Sequence, residues 1–265
     1  MMTDNQLVTI ATYSSPFEAE LAKSFLEEAG FEVELQNERM MSMYSSFAGY
    51  MHMIELQVMS EREAEAKQVL VSLDDSDYIR RILSSEKALL TGHFLLTSGK
   101  HSKHYIEKIK VFQNPEATHN ICKRMAERLE AYDFDCVVGP AYGGIVLAFE
   151  TAYLMRKSFL FTQRKDDKMT IRSGFDLASV KKVAIIEDIL TTGGSVFEVI
   201  SCLQEHGLEV AVVGIMVDRS GGKVEFPAPL ESLLSMQVPA WEPDECELCR
   251  EGIALTKPGS SDKKN

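Results

Sequence analysis

Glu187 and Asp188 stand just ahead of Thr191-Thr192-Gly193-Gly194-Ser195, with only Ile189 and Leu190 between them. Adjacent carboxylates are strong acceptors, and a sugar with vicinal hydroxyls offers a matching pair of donors. The loop after them has the opposite preference. Its backbone N–H groups and small hydroxyls suit an anion, and its glycines let that anion approach closely. The two acids repel any second anion placed beside them, so the ligand that suits both parts carries charge at one end and hydroxyls at the other. A ribose 5-phosphate has that form. No lysine follows the glycines, so the segment is not a P-loop.

Such a cradle needs a strand to deliver the acids and a helix to receive the loop. Val183 to Ile186 is a short β-branched run that predicts a strand covered on both faces, with Glu187 and Asp188 where it leaves the core. Apolar Val196, Val199, Ile200 and Leu203 predict a helix closed by His206 and Gly207. Ligands of open α/β sheets bind at such strand ends. A plain strand, polar turn and helix is the bland alternative, and the coincidence of acid pair with hydroxyl-glycine loop argues against it. From Tyr78 onward, further strands at Cys136 to Gly139, Phe159 to Thr162 and Val210 to Val217 alternate with helices. That order predicts an α/β domain over 78–265, a mostly parallel sheet wrapped on both faces.

A smaller domain precedes it, over 1–73. Leu7 to Tyr13 alternates as a strand, and Ser15-Pro16-Phe17-Glu18 gives a cap, a first-turn proline and a capping-box glutamate. Strands at Phe31 to Leu35 and Ile54 to Val58 and a capped helix from Ser60 through Leu73 complete a βαββα order, an α+β plait. Ser72, Asp74, Asp75, Ser76 and Asp77 read as the linker. Between the later strands, Met40 to Met53 is methionine-rich, which suits either a partner surface or a loop folded back on the sheet.

The first 75 residues hold 4 basic against 14 acidic side chains and the remaining 190 hold 24 against 26, so nearly all of the net charge of -12 lies in front. An acidic face excludes nonspecific nucleic-acid or anionic-membrane binding and leaves room for an unknown, basic partner of the small domain. No basic leader and no apolar run of about 18 residues is present, so the protein reads as cytoplasmic. Five cysteines do not suggest a disulfide framework. Cys246 and Cys249 form a lone CxxC, half of a zinc site, and read as a reduced pair in a turn.

The segment from Glu187 to Ser195 resembles the diphosphosugar signature of type I phosphoribosyltransferases, and four further segments resemble the orotate-specific branch. Gly92 to Ser102 is similar to the hood loop over the pyrimidine, with Thr97 where Lys is common. His101 and His104 by themselves read as exposed loop histidines. Gly139-Pro140-Ala141-Tyr142-Gly143-Gly144 resembles the diphosphate loop, with Gly143 at a frequent Lys position. Gln163 to Gly174 resembles the mobile catalytic loop, with Arg164, Lys165 and Lys168 on its basic positions and Thr170 near that of a common His. Val217 to Gly222 brings Arg219 to the position of an arginine that pairs with the orotate carboxylate. The tail from Cys246-Glu247-Leu248-Cys249 to Ser260 is similar to one branch of these enzymes. The small front domain resembles prokaryotic signal-transducing domains of unknown function.

The resemblance implies the type I fold with a hood, and transfer of ribose 5-phosphate from phosphoribosyl diphosphate to orotate, giving orotidine 5-phosphate and diphosphate. It implies Mg2+ held mainly through substrate and water. Glu187 and Asp188 would hold the ribose hydroxyls and Thr191 to Ser195 the 5-phosphate. Arg164, Lys165 and Lys168 would act on the leaving group in a homodimer that shares loop 164–174 across its interface. Transfer to another base, or a regulator that senses the diphosphosugar without turnover, are the alternatives.

Overall fold

Ser15 caps the first helix as its sequence requires, its Oγ accepting from the Glu18 amide at 3.1 Å with Pro16 in the first turn. The computed structural model describes residues 6–37, 53–71, 75–96 and 98–258. By contact the chain divides into two units, Met1–Arg81 and Ile82–Asn265. The first contains β1 (Leu7–Tyr13), α1 (Pro16–Glu28), β2 (Val33–Gln36), β3 (Ile54–Met59) and α2 (Glu63–Val71). β3 lies between β1 and β2, antiparallel to both. Leu26, Phe31, Leu56, Val58 and Ala66 close the core between sheet and helices.

Two expectations change here. Asp75, Ser76 and Asp77 belong to the first turn of α3 (Asp75–Ser85), where carboxylates favour a helix start, while Ser72 and Asp74 lie outside the described residues. Of the methionine-rich stretch only Met53 is described, half-exposed.

The second unit is built on one sheet. Its strands are β6 (Cys136–Pro140), β7 (Ser158–Lys165), β8 (Lys168–Ile171), β9 (Lys182–Leu190), β10 (Glu209–Asp218) and β11 (Leu230–Ser235), in the order β11-β10-β9-β6-β7-β8. All pairs are parallel except β7 with β8. Val183 and Ile185 pack with Val199, Ile200 and Leu203 of α7 (Gly194–Glu205) on one face. The opposite face meets α5 (Pro115–Leu129) and α6 (Gly143–Met155). There Gly214 leaves space for Met125, whose sulfur lies 2.7 Å from where a Cβ would stand. The sheet is therefore covered on both sides, as its continuous apolar runs require.

Two stretches read as loops are hairpins. Gly92 to Ser102 lies in β4 (Leu89–Leu95) and β5 (His101–Ile106), paired antiparallel from Leu89↔Ile106 to Leu95↔His101. Gly92 sits at a register shift between Thr91 and Phe94, and Gly99 turns the chain at φ +83, so both glycines serve the hairpin. β12 (Ala240–Trp241) adds a third strand beside β5, and α4 (Lys108–Phe112) follows it. Thr97 lies outside the described residues. The polar run from Gln163 folds as β7 and β8 because Asp166 and Asp167, at φ 51 and 61, form the two-residue left-handed turn that suits strand twist.

Asn114 caps α5 through Oδ1, which accepts from the amides of Glu116 at 3.1 Å and Ala117 at 3.2 Å. Asn114→Ala is expected to destabilise the second unit by about 1 kcal/mol. Urea unfolding followed by the sole tryptophan, Trp241, reads this, and an unshifted midpoint contradicts it.

Candidate active site

β9 does not end at Ile186. Its ladder with β10 continues through Glu187↔Ile215, Ile189↔Val217 and Leu190↔Asp218, so the acid pair remains inside the strand and buried, Glu187 9% and Asp188 3% exposed. After β6 the chain moves toward β7 on one side, and after β9 toward β10 on the other. The neighbouring ends of β6 and β9 therefore open a crevice where the sheet order reverses.

That crevice is a cleft of about 760 Å³. Its floor is Glu187, Asp188 and Ile189; one side carries Ala141, Tyr142 and Gly143, and another carries Thr191, Thr192 and Ser195. Arg219 and Ser220 follow β10 into it, and Leu96, Ser98 and Lys100 enter from the β4–β5 turn. A notch of about 60 Å³ lined by Glu187 and Ile189 to Val196 opens at the start of α7, bringing Leu190, Gly193 and Gly194 to the same place. Gly193 caps that helix at φ +78, and a Cβ there would lie 2.8 Å from Val224, so only glycine fits the turn.

Lys108 is the residue that sequence reasoning missed. Its Nζ donates to Asp188 Oδ2 at 2.5 Å. Burial opposes the charge on Lys108, but the charge and hydrogen bond of Asp188 outweigh it and hold the ammonium above its ordinary range. A side chain at position 143 would collide with this pair, since a Cβ on Gly143 falls 1.6 Å from Asp188 Oδ2 and 3.3 Å from Lys108 Nζ. Gly143 and Lys108 thus form one arrangement, with the cation arriving from α4. Nothing in the residues around Lys108 signals this, because the pairing spans 80 positions of sequence.

Glu187 has no such cation. Burial first, and then the charge of Asp188, push its carboxyl up to about 8. Its Oε1 accepts from the Asp188 amide at 2.9 Å. Arg219 is half-buried, and burial lowers its guanidinium from the ordinary range, although an arginine remains charged. Its Nε is buried with no hydrogen-bond partner among the described residues.

The structure does not bring Arg164, Lys165 and Lys168 to the cleft. Arg164 pairs with Glu198 at 2.7 Å and Lys168 with Glu205 at 2.9 Å, both on α7, while Lys165 is exposed at the end of β7. Thr170 bonds across the hairpin to the Gln163 carbonyl. Lys100, Lys108, Arg219 and Lys223 are the cations that line the cleft. His101 is not an exposed loop residue either: it is buried in β5, and His104 is half-buried there.

Comparison with known proteins agrees with this geometry. Residues 110–242 match the phosphoribosyl transferase domain, and residues 7–74 match the family described as "Putative prokaryotic signal transducing protein". The orotate phosphoribosyltransferase of Thermotoga maritima is 45% identical over 182 residues, 69% of this chain and 97% of that protein. That of Caldanaerobacter subterraneus subsp. tengcongensis is 43% identical over 186 residues, 70% of this chain and 98% of that protein. The crystal structure of orotate phosphoribosyltransferase from Aeropyrum pernix superposes with a TM-score of 0.50 at 22% identity, over 60% of this chain and 93% of that one, which shows the shared fold. The chain belongs to the phosphoribosyltransferase family and, within it, to the orotate phosphoribosyltransferases.

Proposed function

We propose that the cleft transfers ribose 5-phosphate from phosphoribosyl diphosphate to orotate, with the 5-phosphate seated at Thr191 to Ser195. The observation that carries this reading is the buried acid pair of β9 running directly into a phosphate-sized notch at a helix start, with the unsatisfied Arg219 Nε in the same cleft. Asp188, paired with Lys108, accepts from one ribose hydroxyl. Glu187, held toward its neutral form, can both accept from and donate to the other. Arg219 takes the orotate carboxylate, whose oxygens complete its planar fork. The diphosphate lies against Ala141, Tyr142 and Gly143 at the start of α6, where backbone N–H groups favour an anion. As the bond from ribose C1 to the diphosphate oxygen breaks, its electron pair leaves with diphosphate. The orotate nitrogen supplies the pair for the new bond to C1 and gives up its proton, which the released diphosphate can take.

Mg2+ prefers oxygen ligands and retains water. Asp188 is already paired with Lys108 and Glu187 is driven toward protonation, so the protein offers oxygen donors but little free anionic charge. That donor set fits an ion brought in with the diphosphate and held through substrate and water. When bound, the ion neutralises the diphosphate oxygens.

The leaving group also needs Arg164, Lys165 and Lys168; in one chain Arg164 and Lys168 pair with α7, and Lys165 is exposed. In a homodimer the β7–β8 hairpin reaches the partner's cleft. Support comes from α6, where Tyr142, Val146, Phe149 and Tyr153 form one exposed stripe at helical spacing, 89%, 41%, 58% and 72% exposed. A second copy of the same stripe is its natural cover in a two-fold dimer. We place the reaction in the cytoplasm, where five free cysteines persist reduced.

Purified protein mixed with phosphoribosyl diphosphate, Mg2+ and orotate should consume orotate, seen as falling absorbance. Binding of the sugar without turnover of orotate or any other base would make the protein a sensor instead. Arg219→Ala should raise KM for orotate by about 10²-fold and leave that for the diphosphosugar within a few-fold, because only the carboxylate loses its partner. Equal changes in both constants remove Arg219 from the base site. Lys168→Ala and Asp188→Asn should each slow turnover by about 10² to 10³. After subunit exchange in an equal mixture, half the dimers are hybrids with one intact site, so about a quarter of wild-type activity returns. A mixture as slow as its components rules out the shared site. In the free enzyme, a carboxyl raised from 4.5 to about 8 stabilises the fold fully below the lower value and progressively less up to the higher one. Across that window the thermal midpoint of Glu187→Gln should fall less than that of wild type, and parallel curves contradict the shifted acid.

A further inference from the structure

Four side chains away from the cleft converge on one point: His93 of β4, His101 of β5, and Cys246 and Cys249 around α8 (Glu247–Arg250). Their nearest ligand atoms all lie within 4.8 Å of one another. His93 Nε2 is 3.0 Å from His101 Nδ1 and 3.4 Å from Cys246 Sγ, and Cys249 Sγ is 3.3 Å from His101 Nδ1 and 3.8 Å from His93 Nε2. A zinc ion with bonds of about 2.3 Å to sulfur and about 2.0 Å to nitrogen has tetrahedral edges of roughly 3.3 to 3.8 Å. Four of the six edges are given by the distances above, and each agrees to within a few tenths of an ångström. His93, His101 and Cys246 are buried, and Cys249 is exposed, which leaves an entry path for an ion.

The surroundings point the same way. His93 Nδ1 lies 2.7 Å from the Ile253 carbonyl and must donate to it, since that oxygen can only accept. The proton is thereby fixed on Nδ1, and the Nε2 lone pair faces the cluster, as a metal-bound imidazole requires. The 3.0 Å contact between His93 Nε2 and His101 Nδ1 is a hydrogen bond when His101 carries its proton on Nδ1; with that proton on Nε2 instead, both lone pairs face the cluster beside the two sulfurs.

We propose that His93, His101, Cys246 and Cys249 bind one Zn2+ per chain in a closed, structural Cys2His2 site. Binding releases two protons, one from each thiol, and the dication with two thiolates and two neutral imidazoles has no net charge, which suits a buried place. Two thiolates with two imidazoles in tetrahedral array select zinc over magnesium or calcium. The ion joins the β4–β5 hairpin to the C-terminal segment, which also pairs with β4 through Leu95 N to Thr256 O at 2.9 Å and Thr256 N to His93 O at 2.8 Å. The turn between the two histidines carries Leu96, Ser98 and Lys100 into the cleft, so the ion clamps one wall of the active site without touching the reaction.

Metal analysis of the full-length protein, purified reduced and without chelator, tests this independently of any transferase assay. One zinc per chain is expected, falling to below about a tenth in Cys249→Ser and in His101→Ala. Should either variant fail to fold, the wild-type chain decides alone: stripped of zinc and given Co2+, it should show the intense visible bands of four-coordinate cobalt with sulfur-to-metal charge transfer. Full-length protein supplied with zinc that still holds none overturns the proposal. So does a disulfide between Cys246 and Cys249 in the reduced preparation, or zinc that both variants retain.

Discussion

Two carboxylates side by side at the buried end of a parallel strand repel each other and lose their hydration, and the second unit is arranged around that cost. Its answer has two parts. Asp188 receives the Lys108 ammonium at 2.5 Å, while Glu187 accepts from an amide and is driven toward neutrality by burial and by the charge of Asp188. The Asp188 carboxylate, with Lys108 beside it, fills the space a side chain at position 143 would occupy, so the glycine at the start of α6 belongs to the electrostatics of β9 as much as to its own turn. The loop after β6 and the loop after β9 are tied together in this way, and the crevice between them is where the sheet order reverses.

The distribution of positive charge follows from the same constraint. Cations lining the cleft, Lys100, Lys108, Arg219 and Lys223, come from β5 and its turn, α4 and the segment after β10. Arg164 and Lys168 of the β7–β8 hairpin turn instead toward Glu198 and Glu205 on α7. Exposed pairs of that kind contribute little and exchange readily for a stronger anion. Lys108, by contrast, is anchored to a buried acid, while the hairpin itself is held to α7 through Met169 and Ile171 rather than through its charges.

Sequence made the strand-acid-loop-helix unit legible because all its parts are local: a β-branched run, two acids and a glycine turn within about fifteen residues. Four of the five parallel strands were equally legible, since burial on both faces leaves continuous apolar runs such as Val183 to Ile186, whereas β11, an edge strand with Glu231 and Ser232 in it, was missed. The hairpins were not. Gly92, Ser98 and Gly99 suggest a loop by composition, but one glycine sits in a bulge and the other in a two-strand turn, so the ladder survives around them. Asp166 and Asp167 carried a recognisable two-residue turn signal, hidden inside a run of charge. Lys108 had no local signal at all, and the linker reading of Asp75 to Asp77 failed because acids at a helix start resemble acids in a linker.

The cysteine pair shows where local reading must stop. A CxxC supplies two ligands, and the residues that complete the set lie about 150 positions earlier, in a hairpin whose strands the composition conceals. Only the fold brings them together, and the reason it does so is mechanical. A three-stranded sheet with a two-residue outer strand has little core of its own, so β4, β5 and β12 depend on attachments to hold their shape. The C-terminal segment provides one attachment by pairing its backbone with β4, and the four ligand side chains provide another at the same corner. Backbone pairing alone leaves the hairpin free to twist about that single line. A second anchor off the line removes this freedom, so Leu96, Ser98 and Lys100 hold one position in the wall of the cleft that has Glu187 and Asp188 as its floor.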